Sequence, residues 1–398
     1  MKILIAEDDR VQRTLLRKIL EKWDHEVTET VDGVKALSEI KKGDHSIVIT
    51  DWIMPNMDGI ELIRKIRSIP SGEYIYIIIM TSKTEKEDMV KCMGAGADDF
   101  ITKPIDMREL EVRLRAGERI VRLEQKLSHR NKQLQAANEE MRLNMESAVK
   151  TQESLLPEQL PEAKGVNFAW RYRPFHDLAG DILNIFQLDN KHLGLYILDV
   201  SGHGVAAALL AVSLSRILTP MLSRSSLLWR RQKNGNGYEL SAPLYVARQL
   251  NKQFQMNEKN QQFFTFAYGI FNTENNEFKY VSAGHPGLIV ISNNKKPCCL
   301  DVDSFPVGFV STPAYEEQVI KLNPGDRLYF YSDGLIESSN PEGKLFDIKR
   351  ILKSLQGLKR ESLEQSLEGL LLALEAWCEG PNFLDDVTLL AMEVEQST

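Results

Sequence analysis

Only four cysteines occur in 398 residues, Cys92, Cys298, Cys299 and Cys378, and no two are spaced as C-x-x-C. A disulfide framework is therefore excluded as the organising device. None of the four starts a C-x5-R phosphate loop, which removes a cysteine nucleophile of that kind. Long apolar runs are missing too. The longest, Tyr74 to Met80, is far short of the roughly 20 residues that a membrane span needs. Positive charge is in deficit, with a net charge of −7 and a pI of about 5.7. The C-terminal half carries neither a basic patch nor a helix-turn-helix pattern, so nucleic acid is not an expected partner. The strand-like KILIA opens the chain and leaves no room for a signal peptide, so the expected location is cytoplasmic, with no membrane partner. Internal repeats and long low-complexity tracts are also absent, and at this length two or three domains are expected.

What is present begins with four apolar runs that each end in a reactive group. KILIAEDD ends in Asp8 and Asp9, and HSIVITDWIMPNMDG places Asp51 before a loop marked by Pro and Gly. YIYIIIMTSK brings Thr81, and GADDFITKPI brings Lys103 and Pro104. Parallel strands are buried on both faces and read as continuous apolar runs, and ligands bind beyond their carboxyl ends. Amphipathic stretches such as RVQRTLLRKILEKW and GIELIRKIRS separate these runs. The alternation predicts an α/β fold, a doubly wound parallel sheet with helices on both faces, over residues 1–118.

Singly, Lys103 and Thr81 read as ordinary surface residues. As an ordered set with Asp51, the motifs resemble a two-component response-regulator receiver domain. The resemblance implies that Asp51 is the nucleophile and phosphorylation site, taking a phosphoryl group from a sensor histidine kinase. It implies a Mg2+ held by Asp51, by Asp9 directly, by Asp8 through water, and by the Ile53 carbonyl. Lys103 would supply charge to the phosphoryl oxygens. Thr81 would follow the new phosphate, and Phe100 would switch rotamer with it.

From 119 to 157 the texture changes: no proline occurs before Pro157, and Arg, Glu, Gln, Lys and Asn dominate. Ile120, Leu127, Leu134, Met141 and Ala148 recur every seven residues, while Leu123, Arg130, Ala137 and Asn144 hold the companion positions. One good seam and one half-polar seam suit a helical linker that forms a modest parallel coiled coil, hence a homodimer. The bland alternative is a single solvated helix.

Beyond residue 158 the chain turns to β-structure, with FAWRYRP, HLGLYILDV, FFTFAYGIF, EFKYVSAG, GLIVIS, DRLYFYSD and VTLLAMEV as strands. Helical runs follow Gly204, precede Met256 and fill 348–378, and a polar excursion at 223–240 has NGNG as its turn. Four carboxylates sit at the edges of apolar runs: Asp181, Asp199, Asp333 and Asp385. Any one of them reads best as a turn cap. Together, in the contexts D-x-SGHG, AGHP, SDG and DDVT, they resemble the metal-dependent Ser/Thr protein phosphatases of the PPM or type 2C family. The bacterial branch typified by the sporulation stage II protein E phosphatase is the one they are most similar to.

That resemblance implies an αββα sandwich and two Mn2+ or Mg2+ ions, the hard cations that clustered carboxylates suit. Asp199 would bridge them, with the Val200 carbonyl as a further ligand; Asp181 would serve one ion, with Gly180 allowing close approach, and Asp333 and Asp385 the other. Asp386 would support from behind. His203 would be either a general acid or a loop-folding group, and His285 a structural one. The family's usual second acid is replaced by Asn184, and TQESLLP at 151–157 matches a regulatory element at the entrance to the domain. By resemblance the substrate is a phosphorylated STAS-type anti-sigma-factor antagonist. The alternative is a non-catalytic adaptor that binds a sigma factor or its regulator.

Overall fold

Short apolar strands and helices capped by aspartate alternate through the first part of the chain, and that alternation builds the sheet. The computed structural model describes every residue except 44, 70–72, 83–85, 176–177, 233–236, 257–260, 293–294, 381–382 and 397–398. The chain divides into two compact units, Met1–Glu140 and Met141–Thr398.

In the first unit the elements are β1 (Lys2–Ala6), α1 (Arg10–Lys22), β2 (Glu26–Thr30), α2 (Gly33–Ile40), β3 (Ile47–Asp51), α3 (Gly59–Arg67), β4 (Tyr76–Thr81), α4 (Lys86–Ala95), β5 (Asp99–Thr102) and α5 (Met107–Glu153). The strands are parallel in the order β2-β1-β3-β4-β5. Asp9, Asp32 and Asp58 cap α1, α2 and α3, each accepting a backbone N–H three residues on, at 2.7 to 2.8 Å. The two faces of the sheet bury separate cores. Leu4, Val48, Ile77 and Ile79 meet α2, α3 and α4, whereas Ile3, Ile5, Ile49 and Ile78 meet α1 and the start of α5.

Helix α5 does not restart at the change of composition. It begins at Met107 and runs unbroken to Glu153. Leu110, Leu114 and Val121 are buried against the receiver-like sheet, whereas Leu123, Leu127, Leu134 and Met141 are exposed. The shift of texture near residue 118 thus marks where the buried face of the helix ends.

The second unit holds β6 (Val166–Arg173), β7 (Ile182–Gln187), β8 (His192–Val200), α6 (Val205–Ile217), β9 (Trp229–Arg231), β10 (Tyr238–Leu240), α7 (Pro243–Gln253), β11 (Phe264–Asn272), β12 (Glu277–Ala283), β13 (Leu288–Ile291), β14 (Cys298–Leu300), β15 (Glu317–Lys321), β16 (Arg327–Tyr331), α8 (Asp333–Glu337), α9 (Asp347–Gly357), α10 (Leu363–Cys378) and β17 (Val387–Val394). They form two antiparallel sheets, β15-β12-β11-β8-β7 and β14-β13-β16-β17-β6, and the small pair β10-β9. Alternation of side chains explains the layering. Leu328, Phe330, Leu390 and Met392 join the shared core with Phe278, Leu195 and Ile197, while their neighbours Tyr329, Tyr331, Leu389 and Ala391 pack on α9 and α10. Helices α6 and α7 cover the outer face of the first sheet. The architecture is the expected αββα sandwich.

Three details differ from the sequence reading. The run expected to be helical over 348–378 breaks between α9 and α10, where Ser362 starts a new helix with a capping box. Strands β7, β14 and β15 were not foreseen. The polar excursion contributes β9 and β10, paired in register from Trp229↔Leu240 to Arg231↔Tyr238. Its NGNG turn lies, apart from Gly237, outside the described residues. All four cysteines are free, and no helix among the described residues is long and apolar enough to cross a membrane.

Phe278 is the point where the two sheets lock, its ring edge-on to Phe330 with centroids 6.0 Å apart. Phe278→Ala is expected to destabilise the second unit by about 3–5 kcal/mol. Denaturant unfolding of the full chain followed by near-ultraviolet circular dichroism checks this, and an unshifted midpoint contradicts the packing described.

Candidate functional site

Each unit gathers carboxylates at one edge of its sheet. In the first, Glu7, Asp8 and Asp51 bring ligand oxygens within 4.8 Å of one another. Glu7 and Asp8 follow β1, and Asp51 ends the adjacent β3. Lys103, beyond β5, donates to Asp51 Oδ2 at 2.7 Å and to Glu7 Oε2 at 2.9 Å. Burial works against the Lys103 charge, but its bonds to Asp51 and Glu7 outweigh that and hold the ammonium above the ordinary lysine value. Burial, with repulsion from Asp51, raises the Glu7 carboxyl even though Lys103 pulls it down.

The acids that cluster with Asp51 start one residue before the expected pair. Asp9 caps α1, its Oδ1 accepting from Gln12 N at 2.8 Å, and does not belong to the clustered three. Glu7, overlooked in the sequence, stands in that cluster and is almost fully buried. An Asp three residues before Gln12, at the head of a helical pattern, was the available signal. Thr81 is buried, and its carbonyl accepts the Lys103 N–H at 2.7 Å. Phe100 is half-buried with the Arg113 guanidinium 5.4 Å from its ring centroid. Ile53 is exposed on the loop after β3. Glu7 therefore carries the sharper test: Glu7→Gln should weaken Mg2+ binding at least tenfold, while Asp9→Ala should bind Mg2+ normally and lose helix stability. Quenching of Trp52 fluorescence during a Mg2+ titration reads both, and a larger loss in Asp9→Ala would restore Asp9 as the ligand.

In the second unit Asp181 directly precedes β7, Asp199 is the penultimate residue of β8, Asp333 opens α8, and Asp385 and Asp386 precede β17. Asp181 is buried; its Oδ2 accepts from the Thr388 hydroxyl, and Oδ1 has no partner. Asp386 uses both oxygens on backbone: Oδ1 accepts from Phe175 N, and Oδ2 from Gly180 N, each at 2.8 Å. It thus clasps the loop that presents Asp181. A Cβ on Gly180 would come within 2.7 Å of the Val200 carbonyl oxygen and 3.5 Å of Asp199 Oδ1, so only glycine lets these strands close. Asp333 is fixed by its neighbours: Ser332 N donates to the Thr388 carbonyl and Ser332 Oγ to the Asp386 carbonyl.

Burial pushes the Asp199 carboxyl up to about 8, with repulsion from Asp333, Asp385 and Asp386 adding to it. Burial and Asp385 push Asp333 up to about 6. Burial, then Asp199 and Asp386, hold Asp181 well above the carboxylate range. A largely enclosed, mutually repelling set with an unpartnered oxygen on buried Asp181 is the donor set that hard divalent cations fit. Among the described residues, no three of these acids close to within 4.8 Å of one another as Glu7, Asp8 and Asp51 do. His203 is exposed in the turn between Gly202 and Gly204. Asn184 lies away from the acids, opposite Tyr196 within β7, its Oδ1 accepting from Ile185 N. Gln152, in the TQESLLP segment, donates to the Ala179 carbonyl at 2.7 Å and accepts from Ala179 N at 3.2 Å.

Fold and sites together define a response-regulator receiver domain joined to a PPM-type phosphatase domain. The chain belongs to the Stage II sporulation protein E (SpoIIE) family, which it matches over residues 189–395, and it matches the response regulator receiver domain over residues 3–115. The receiver half is 34% identical to the chemotaxis protein CheY-3 of Vibrio cholerae over 115 residues, 29% of this chain and 88% of that protein. It is 36% identical to the two-component response regulator PhoP of Pseudomonas aeruginosa over 116 residues, 29% of this chain and 51% of PhoP. The structure of the SiaA-PP2C domain of Pseudomonas aeruginosa superposes with a TM-score of 0.53 at 17% identity, covering 65% of this chain and 98% of that domain.

Proposed function

We propose that this chain is a response regulator in which phosphorylation of Asp51 by a sensor histidine kinase controls a metal-dependent protein serine/threonine phosphatase. The observation that carries the reading is the mutually repelling set of buried Asp181 and half-buried Asp199 and Asp333 beside Asp385, with the Asp181 loop held by backbone contacts. Its substrate is a phosphorylated STAS-type anti-sigma-factor antagonist, and its output a switch of partners that frees a sigma factor.

At the receiver, an Asp51 oxygen attacks the phosphohistidine phosphorus, the P–N bond breaks and an acyl phosphate forms. Lys103 already lies against Asp51 and shifts onto the phosphoryl oxygens, releasing Glu7. Glu7, Asp8, Asp51 and the Ile53 carbonyl would hold a Mg2+ that offsets phosphoryl charge. Thr81 supplies a hydroxyl to the phosphate, and Phe100 moves with it. At the phosphatase, Asp181, Asp199, the Val200 carbonyl, Asp333 and Asp385 would hold two Mn2+ or Mg2+ ions, which supply a water acidic enough to attack phosphorus at neutral pH. Asp386 and Gly180 set the position of Asp181, and His203 delivers a proton to the departing serine or threonine oxygen.

Control runs through α5. Its exposed Leu127, Leu134 and Met141 form the homodimer seam, and Gln152 grips the backbone of Ala179, two residues before Asp181. A helix that is marginal without a partner can be biased by a few kcal/mol.

A phosphorylated STAS-domain protein incubated with the chain and Mn2+, with and without acetyl phosphate, tests the activity. Turnover should vanish in Asp199→Ala and in excess chelator while circular dichroism stays unchanged, and Asp51→Asn should lose the response to acetyl phosphate. Full turnover in Asp199→Ala would eliminate the reading. Analytical ultracentrifugation tests the seam separately: the Leu127→Gln, Leu134→Gln double variant should weaken dimerisation at least tenfold, and an unchanged dimer makes the helix a passive tether.

A further inference from the structure

In the second unit the chain crosses from one sheet to the other through Gly284, His285, Pro286 and Gly287, between the end of β12 and the start of β13. Gly284 has φ +69°, and a Cβ there would come within 2.6 Å of Pro306, so the turn requires glycine. Three hydrogen bonds then fix the crossing. Gly284 N donates to Ser304 Oγ at 2.9 Å, Ser304 Oγ donates to the Ser282 carbonyl at 2.8 Å, and Ser282 Oγ donates to the His285 carbonyl at 2.9 Å. The imidazole ends up buried between the two sheets.

Its surroundings tie it to both halves of the acidic site. Nδ1 lies 2.8 Å from the Thr265 hydroxyl, and Thr265 stands directly opposite Asp199 in the β8–β11 ladder. Odd-numbered positions of β11 face the second sheet: Gly269 lies under the Phe278 ring, which meets Phe330 across the interface. Thr265 and Asp199 therefore share that inner face. The backbone carbonyl of Tyr331 faces the imidazole from the other sheet, two residues before Asp333, although Nε2 has no partner in regular hydrogen-bond geometry. Burial pushes the imidazole down to about 3, so the ring is neutral and offers one acceptor and one donor. A neutral, enclosed ring cannot protonate a leaving group.

We propose that His285 is a positioning residue, a strut between Thr265 and the Tyr331 carbonyl that sets the separation of Asp199 and Asp333 and thereby the affinity of the site for divalent cations. Nδ1 accepts from the Thr265 hydroxyl, and Nε2–H points to the Tyr331 carbonyl. That second contact is slack while the acids repel one another and closes when they are drawn together. Outer groups of this kind change metal affinity by about 10–100-fold when removed. The proposal rests on the phosphatase reading above, so its test carries a control for that reading.

Mn2+ binding to the full-length chain carrying Asp8→Asn, which silences the receiver site, is measured by the electron paramagnetic resonance of free Mn2+. His285→Ala and Thr265→Val should each raise the dissociation constant about 10–100-fold. Their effects should combine non-additively, as for neighbours in one network. His285→Asn, which retains a polar atom near the Nδ1 position, should recover part of the loss. Wild-type affinity in folded His285→Ala overturns the strut, as does a fall in melting temperature without a change in affinity. Should His285→Ala not fold, wild-type affinity in both His285→Asn and Thr265→Val overturns it equally. Asp199→Ala separates the two levels: if it binds Mn2+ normally, the metal site itself is misassigned and the strut falls with it. If Asp199→Ala loses binding while the His285 variants keep it, the strut alone is wrong.

Discussion

Carboxylates repel one another, and both units of this chain hold several where water reaches them poorly. Nothing in the acids themselves favours that arrangement; the backbone imposes it. The receiver unit resolves the conflict internally, because Lys103 stands between Glu7 and Asp51. The phosphatase unit does not. Burial acts most strongly on Asp181, Asp199 and Asp333, followed by the charges of neighbouring acids, Asp385, Asp386 and Glu337 included, with no lysine or arginine among the main influences. Their energy is carried by rigid framework: the β8–β11 ladder under Asp199, the clasp of Asp386 on Gly180, and the Ser332–Thr388 bonds that fix Asp333. A site so built is poised for cations because it is uncomfortable without them.

The sequence disclosed the parts of the fold that are apolar on both faces. Runs such as ILIA, IVITD and YIIIMT have no alternative to a buried strand, and HLGLYILDV and VTLLAMEV are nearly as plain. It concealed β15, whose EQVIK is half polar because it is an edge strand, exposed along much of its length. It concealed β7 for another reason: ILNIFQ follows Asp181 at once, with no turn residue between functional group and strand.

The candidate site was legible where a motif fixes a residue type and illegible where only geometry distinguishes neighbours. Glu7, Asp8 and Asp9 are three acids in a row, and composition cannot say which of them the strand twist turns inward. In the structure Ala6 is the last strand residue and Arg10 the first helical one, and Asp9 caps the helix while Glu7 and Asp8 cluster with Asp51. Asp385 and Asp386 pose the same ambiguity: Asp386 turns its oxygens to the Phe175 and Gly180 N–H groups, whereas Asp385 accepts from the N–H of Asp386. Gln152 was legible as part of a motif, but its bond to Ala179 joins segments that no local pattern connects.

One pairing has a consequence for how the phosphatase unit is made. Strand β6, the first of that unit, is hydrogen-bonded along its whole length to β17, the last, and the segment just before β17 carries Asp385 and Asp386. During synthesis β6 emerges early and must wait, edge uncovered, until β17 leaves the ribosome. The loop of Asp181 waits with it, since its clasp arrives on the same late segment. A truncated product would thus retain an open sheet edge and an unclasped acidic loop, which marks it for aggregation or proteolysis.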